Sequence, residues 1–320
     1  MNESTNGRIS ESANRQISKL AGPARGLAVT EYLYPTSVEE AVAQLERCGG
    51  EGRVIAGGTD VMVDIHKGRI HPRCLVDVTR IPGLDRIEVA EDFVQVGAAV
   101  TFADLKDSPF LNQHVPALAD AARAVGAAAI QSAATWVGNI VQAMPAADGA
   151  IVAIALEAEA RVVGGDGAAW RPVESLFCGP VVSAVDPSRQ LVTHLRFPCP
   201  RSPWSTAWRR IGRRPSLVLP ILNCAVKLCL DRDRARVVRA CIALGPVAPR
   251  PFRAREAEAF LVGQPPTPDV LAQTACLCQA ESDPRSSVMR ASREYRLAVI
   301  PALVGDVLTV AAQRARNFTA

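Results

Sequence analysis

Arg53-Val54-Ile55-Ala56-Gly57-Gly58-Thr59-Asp60 runs from a short apolar stretch into two adjacent glycines and then a Thr-Asp pair, and Ala134-Thr135-Trp136-Val137-Gly138-Asn139 repeats the theme further along. Glycine lacks the Cβ that holds a ligand away from the main chain. It also tolerates positive φ, so successive N–H groups can converge on one anionic oxygen. Two such stretches suggest a dinucleotide gripped from two sides. Neither is spaced as G-x-G-x-x-G, and no glycine-rich loop ends in Gly-Lys-Ser/Thr, which disfavours a Rossmann or ATPase site. By local chemistry alone a Gly-Gly pair after a strand is also a plain turn, and Asp60 a turn residue or helix cap.

Around the first stretch the sequence predicts a strand–loop–helix–strand unit. Ser37-Val38-Glu39-Glu40 has capping-box spacing and opens a helix to Cys48, Arg53–Ile55 reads as a strand, Thr59–Lys67 as a short helix and Cys74–Val78 as a second strand. The loop then sits at a helix N-terminus, where unpaired N–H groups and a partial positive charge favour a pyrophosphate. Beyond the Ile81-Pro82-Gly83 turn come short strands at Arg86–Val89 and Val94–Gly97, helices at Thr101–Lys106 and Pro116–Val125, and an apolar stretch of helical length from Asp148 to Ala158. Gly164-Gly165-Asp166-Gly167 reads as a hairpin turn, and Leu191–Phe197 as a closing strand. Pro198–Ser205 is the expected linker. After it, strands at Leu222–Leu230 and Val237–Leu244 precede helices at Arg253–Leu261, Asp269–Ala280 and Tyr295–Arg314, an α+β arrangement.

Composition narrows the function classes. The 320 residues suffice for several units with real cores, and a net charge of +4 with no basic tract interleaved with aromatics gives nucleic-acid binding little support. The nine cysteines form no C-x-x-C pair and read as reduced thiols; the four histidines share no ligand spacing. Residues 1–28 are polar and lack the apolar core of a secretory signal, and no stretch approaches the roughly 18 apolar residues of a membrane span, so a cytoplasmic protein is expected. No nucleophile elbow or substrate base stands out, and Glu157 and Glu159 read as solvent-facing charges after an apolar run.

Several ordered segments together resemble the FAD-binding medium subunit of the molybdenum hydroxylases, the family of xanthine dehydrogenase, carbon monoxide dehydrogenase and 4-hydroxybenzoyl-CoA reductase. They are Ile55–Asp60 with Cys74–Thr79, Ala134–Asn139, Met144–Asp148, Ile211–Arg214 before Asn223, Ala243–Pro249 and Ser286–Arg296. The resemblance implies an FAD domain in two parts, of the vanillyl-alcohol oxidase type, over residues 29–85 and 86–198, then a smaller α+β domain over 204–316. It implies noncovalent FAD held by Arg53, Val54, Ile55, Ala56, Gly57, Gly58, Thr59 and Asp60 around the pyrophosphate, and by Ala134, Thr135, Trp136, Val137, Gly138 and Asn139 opposite. Asp148 matches the family's aspartate near the adenosine, while Leu191 and Arg210 match a hydrophobic contact and a lysine near the flavin. Trp136 and Trp208 are either flavin neighbours or core residues.

The implied partners are a large subunit with the molybdenum cofactor and a small subunit with 2Fe-2S clusters, with NAD+ or another acceptor receiving electrons; no nucleic acid or membrane partner is expected. Without its own cluster ligands or substrate base, the chain suits electron transfer, the flavin supplying the redox chemistry. Two departures from the family pattern fall near the second stretch: Val137 where glycine is usual, and Gln131-Ser132 where Arg-Asn is usual. Both bear on FAD binding. The cysteine-bearing insertion of the 4-hydroxybenzoyl-CoA reductase branch is missing, which favours the xanthine dehydrogenase-like branch. A stand-alone flavin oxidase, or a scaffold that has lost FAD, are the competing readings.

Overall fold

The computed structural model describes residues 29–201, 203–214, 217–288 and 290–318, so the expected tail over residues 1–28 lies outside it. Three sheets follow one another along the chain. β1 (Glu31–Leu33), β2 (Gly52–Ile55) and β3 (Cys74–Asp77) form a parallel sheet in the order β1-β3-β2. β3 is central and buried along its whole length, as a strand covered on both faces must be. The helix Val38–Arg47 crosses from β1 to β2, capped by Ser37 accepting from Glu40 N–H and burying Ala41 and Leu45. Helix Val61–His66 follows the first glycine loop.

β4 (Ile87–Val89), β5 (Phe93–Gly97), β6 (Glu159–Gly164), β7 (Gly167–Pro172) and β10 (Gln190–Pro198) form an antiparallel sheet in the order β4-β5-β10-β6-β7. The β6–β7 hairpin closes on the Gly164↔Gly167 pair, at the turn its sequence predicts. β8 (Phe177–Gly179) and β9 (Val182–Ser183) make a separate ribbon. Between β5 and β6 lie six short helices, Phe102–Asp107, Pro109–His114, Pro116–Ala124, Ala128–Gln131, Trp136–Val141 and Asp148–Ala155. Every residue of the last is buried, which explains why its sequence is apolar all round rather than striped.

Two of these helices have no counterpart in the sequence reading, Pro109–His114 and Ala128–Gln131. The second glycine stretch also differs, because it becomes helical at Trp136. Thr135 caps that turn, its Oγ1 accepting from Gly138 N–H at 3.0 Å.

β11 (Trp204–Ile211), β12 (Leu222–Leu230), β13 (Val237–Gly245) and β14 (Phe252–Arg253) form the third sheet, antiparallel in that order, with helices Arg255–Leu261, Pro268–Ala280 and Arg293–Arg316. β11 starts at Trp204, inside the stretch expected to be linker. Trp204, Trp208, Ala225 and Ala243 point from this sheet into the core of the preceding half, while Ala207, Cys224, Val226 and Leu228 point into a second core with the long helix. A sheet buried on both faces accounts for the unbroken apolar run in β12. Contrary to the expectation from sequence that no stretch approaches a membrane span, Arg293–Arg316 is long and apolar enough to cross a membrane by length and composition, but Ile300, Val304, Val307, Leu308 and Ala311 are fully buried in that second core.

Candidate cofactor site

The first glycine stretch leaves β2 as a half-buried loop, and among the described residues the N–H groups of Gly57, Gly58, Thr59 and Asp60 donate to no group of the chain. Four successive donors without acceptors are what an anion needs. Gly58 has φ +68°, a left-handed conformation for which glycine carries no Cβ penalty. Gly57 is required for a different reason: a Cβ there would collide with the Ala133 carbonyl and lie 3.0 Å from Ala134 N. The two glycine stretches, remote in sequence, are thus packed main chain against main chain.

The helices that leave them are also tied, Gln142 Nε2 donating to Asp64 Oδ2 at 3.5 Å. Arg53 and Val54 sit behind the loop, Val54 N–H donating to Pro187 O at 3.0 Å. Desolvation lowers the pKa of Arg53, and the carboxylates of Asp64 and Asp186 partly offset it. Ile55 is buried, anchoring the loop to a small cluster with Ile65 and Leu75.

In the second stretch the side chains turn inward. Trp136 is fully buried and its Nε1 donates to Gly149 O at 2.9 Å, so it is a core residue. Val137 is also buried, which directs its branched side chain away from the surface. The Gly138 N–H is taken by Thr135, but the Val137 N–H has no acceptor among the described residues. Asn139 Oδ1 is a buried acceptor with no partner among the described residues, 2.7 Å from where a Cβ on Gly149 would stand. An orphaned acceptor beside free N–H donors fits a cofactor that carries both hydroxyls and a pyrophosphate. Gln131 has a structural role: its Nε2 donates to Arg123 O and Val125 O, both at 2.9 Å, closing the end of helix Pro116–Ala124.

Asp148 and Arg210 are each other's partners, at 2.9 Å, with side chains 6% and 8% exposed. Asn223 Nδ2 donates to the other Asp148 oxygen at 2.6 Å. Burial drives the Asp148 carboxyl up to about 6, against the pull of Asn223 and Arg210. These two predicted cofactor contacts therefore bolt the helix Asp148–Ala155 to β11 and β12. Leu191 lies in β10 opposite Val163, 1% exposed within the core. Trp208 is buried, and its Nε1 has no partner among the described residues.

One expectation is corrected. Glu157 is not a solvent-facing charge: it receives Lys227 Nζ at 2.5 Å, Arg239 Nη2 at 2.6 Å and Arg253 Nη1 at 3.4 Å. The physical reason is Lys227, whose side chain is 5% exposed in β12 and needs a counter-charge. Burial raises the Glu157 carboxyl, but the hydrogen bond from Arg239 and the charge of Lys227 outweigh it and hold the group at about 2. The sequence signal was Lys227 itself, a lone cation inside an apolar strand. A cleft of about 610 Å³ opens beside this cluster, and its arginines are matched by carboxylates: Arg196 by Glu159, Arg255 by Glu174.

Comparison with known proteins gives a concordant picture. A family model described as the FAD binding domain in molybdopterin dehydrogenase matches residues 27–200, and one for the CO dehydrogenase flavoprotein C-terminal domain matches residues 207–311. A putative xanthine dehydrogenase FAD-binding subunit of Escherichia coli is 29% identical over 262 residues, 82% of this chain and 89% of its own. The carbon monoxide dehydrogenase medium chain of Hydrogenophaga pseudoflava is 27% identical over 281 residues, 88% of this chain and 96% of its own. Among solved structures, carbon monoxide dehydrogenase from that organism superposes with a TM-score of 0.83 at 28% identity, covering 89% of this chain and 98% of that one. Quinoline 2-oxidoreductase from Pseudomonas putida gives 0.81 at 26% identity, covering 89% and 97%. With a paired main-chain donor site in its first half and family models matching both halves, the chain belongs to the FAD-binding medium subunits of the molybdenum hydroxylases, the xanthine and carbon monoxide dehydrogenase family.

Proposed function

We propose that this chain delivers electrons from a heteromeric molybdenum enzyme to a soluble acceptor, NAD+ or another, in the cytoplasm. Its partners on this reading are a large subunit carrying the molybdenum cofactor and a small subunit carrying 2Fe-2S clusters, as the subunit and medium-chain names of the relatives suggest. The observation that carries the reading is the row of N–H donors from Gly57 to Asp60, without acceptors among the described residues and set against Ala133 and Ala134. When bound, FAD supplies the redox chemistry.

The chain's own residues would bind and orient it. Gly57, Gly58, Thr59 and Asp60 would present main-chain donors to the pyrophosphate, with Val137 N–H and Asn139 Oδ1 on the opposing side. Asp148 and Arg210 would act one step removed, by fixing the helix that carries Gly149 against Asn139.

The test is the purified native complex. Flavin absorbance, reduction by dithionite and anaerobic reoxidation by NAD+ with formation of NADH are the expected results. A complex without flavin would overturn the cofactor assignment. Flavin that is reoxidised only by a quinone or a dye would overturn NAD+ while leaving electron delivery intact.

A further inference from the structure

The two glycine stretches touch at Gly57, and the helices that leave them are joined again one turn further on. Asp64 N–H donates to Asp60 O at 2.9 Å, so Asp64 stands one helical turn past the end of the first donor row. Gln142 N–H donates to Gly138 O at 3.1 Å, which places it one turn past Gly138 in the second stretch. Between them, Gln142 Nε2 donates to Asp64 Oδ2 at 3.5 Å, and among the described residues no other hydrogen bond joins residues 56–70 to residues 131–145. The close approach at Gly57 holds the start of the row Gly57–Asp60, and the Asp64–Gln142 bond holds the helix into which the row runs. The row is therefore fixed at both ends.

A carboxylate is a poor neighbour for an anion site on charge alone. Its field reaches the row, because burial first, and then the charge of Asp64, raise the Asp60 carboxyl. Arg69 takes the other Asp64 oxygen, Nη1 to Oδ1 at 2.9 Å, and the Arg69 N–H donates to Asp64 O at 2.9 Å, so the carboxylate is held as half of an ion pair. The Asp64 side chain is 15% exposed and that of Arg69 62%, and solvent screens what repulsion remains. What Asp64 contributes is geometry, an acceptor aimed at the opposing helix.

We propose, on the cofactor reading above, that Asp64 and Gln142 are positioning residues whose hydrogen bond sets the spacing between the two glycine segments. Two segments that grip one molecule hold it longest when their spacing is set before it binds, because no binding free energy is then lost in ordering them. Loss of the bond acts on release more than on capture, since changes within one binding surface alter mainly the dissociation rate.

The test is the rate of FAD release from the native complex, followed as flavin fluorescence after dilution. Gln142→Ala and Asp64→Ala should each speed release about fivefold, a modest factor suited to one long hydrogen bond. The double variant should be no faster than either single one, because both remove the same bond. Asp64→Asn is the discriminating change: it keeps an acceptor oxygen and removes the charge, so release should stay close to the parent rate. The unfolding temperature of each FAD-stripped complex should match the parent's, which separates positioning from a loss of stability. Release at the parent rate from both alanine variants would overturn the proposal, as would alanine effects that multiply in the double variant, or Asp64→Asn releasing FAD as fast as Asp64→Ala. So would faster release accompanied by a lowered unfolding temperature of the stripped complex. A parent complex that holds no flavin to release would overturn the cofactor reading, and the positioning role with it.

Discussion

Replacing Gly57 by alanine adds a single methyl group at the point where the two glycine stretches meet. An ideal Cβ there would stand 2.5 Å from the Ala133 carbonyl carbon and 3.0 Å from Ala134 N, whereas ordinary contacts begin at about 3.5 Å. Both obstacles are main chain, so no rotamer change relieves them. The segments must separate by on the order of 1 Å, and overpacking of this kind costs about 1–3 kcal/mol. Since about 1.4 kcal/mol is a factor of ten in affinity, Gly57→Ala should weaken FAD binding about tenfold or more, with Tm lowered by a few degrees. Fluorescence titration of the FAD-stripped chain measures the first and thermal unfolding the second. Gly68→Ala is the control: its φ of +62° makes the substitution strained, but the nearest atom, His71 Cε1, is at 3.6 Å and the residue lies past helix Val61–His66. It should cost stability without changing affinity. If Gly57→Ala binds FAD as the parent does, or Gly68→Ala loses as much affinity, the reasoning about the paired segments fails.

Asp148→Ala should destabilise the chain by about 3–5 kcal/mol in urea unfolding, because it removes the buried carboxylate that neutralises Arg210; pairing Asp148→Leu with Arg210→Met should restore most of that loss. The pH dependence has a definite sign. With its folded pKa raised from 3.8 to about 6, Asp148 costs nothing below the lower value and progressively destabilises the chain as pH rises to the upper one, a slope the Leu/Met pair should abolish. Glu157 behaves in the opposite sense. Its pKa is depressed from 4.5 to about 2, so its contribution, about 3 kcal/mol by linkage, is complete above 4.5 and disappears as pH falls towards 2. Glu157→Gln should be less stable than the parent near neutrality and flatter across that acid window; identical acid-unfolding curves would show that the Lys227 pair contributes nothing.

Where local pattern and tertiary need agree, the fold was legible. Ser37 and the apolar spacing after it predict a helix, and the structure has Val38–Arg47; the apolar run Leu222–Leu230 is a strand with those bounds. Boundaries failed where packing outside the segment decides them. By sequence Trp204 belongs to a proline-rich linker, but burying its ring against the first half draws the strand back to include it. The glycine in Thr135–Asn139 predicts a loop, whereas the structure has Thr135 capping the helix Trp136–Val141.

The candidate site divides in the same way. Sequence alone picked out the glycines, because the absence of a Cβ is a property of the residue wherever it is placed, and it marked Asp148 and Arg210 through the order of their surrounding segments. It could not tell that Gly57 is held against Ala133, that Asp148 and Arg210 neutralise each other, or that Glu157 is drawn inward by Lys227. Those outcomes depend on which charges and main-chain atoms meet once distant segments are buried together, where desolvation makes each unpaired group costly and only the assembled fold determines its partner.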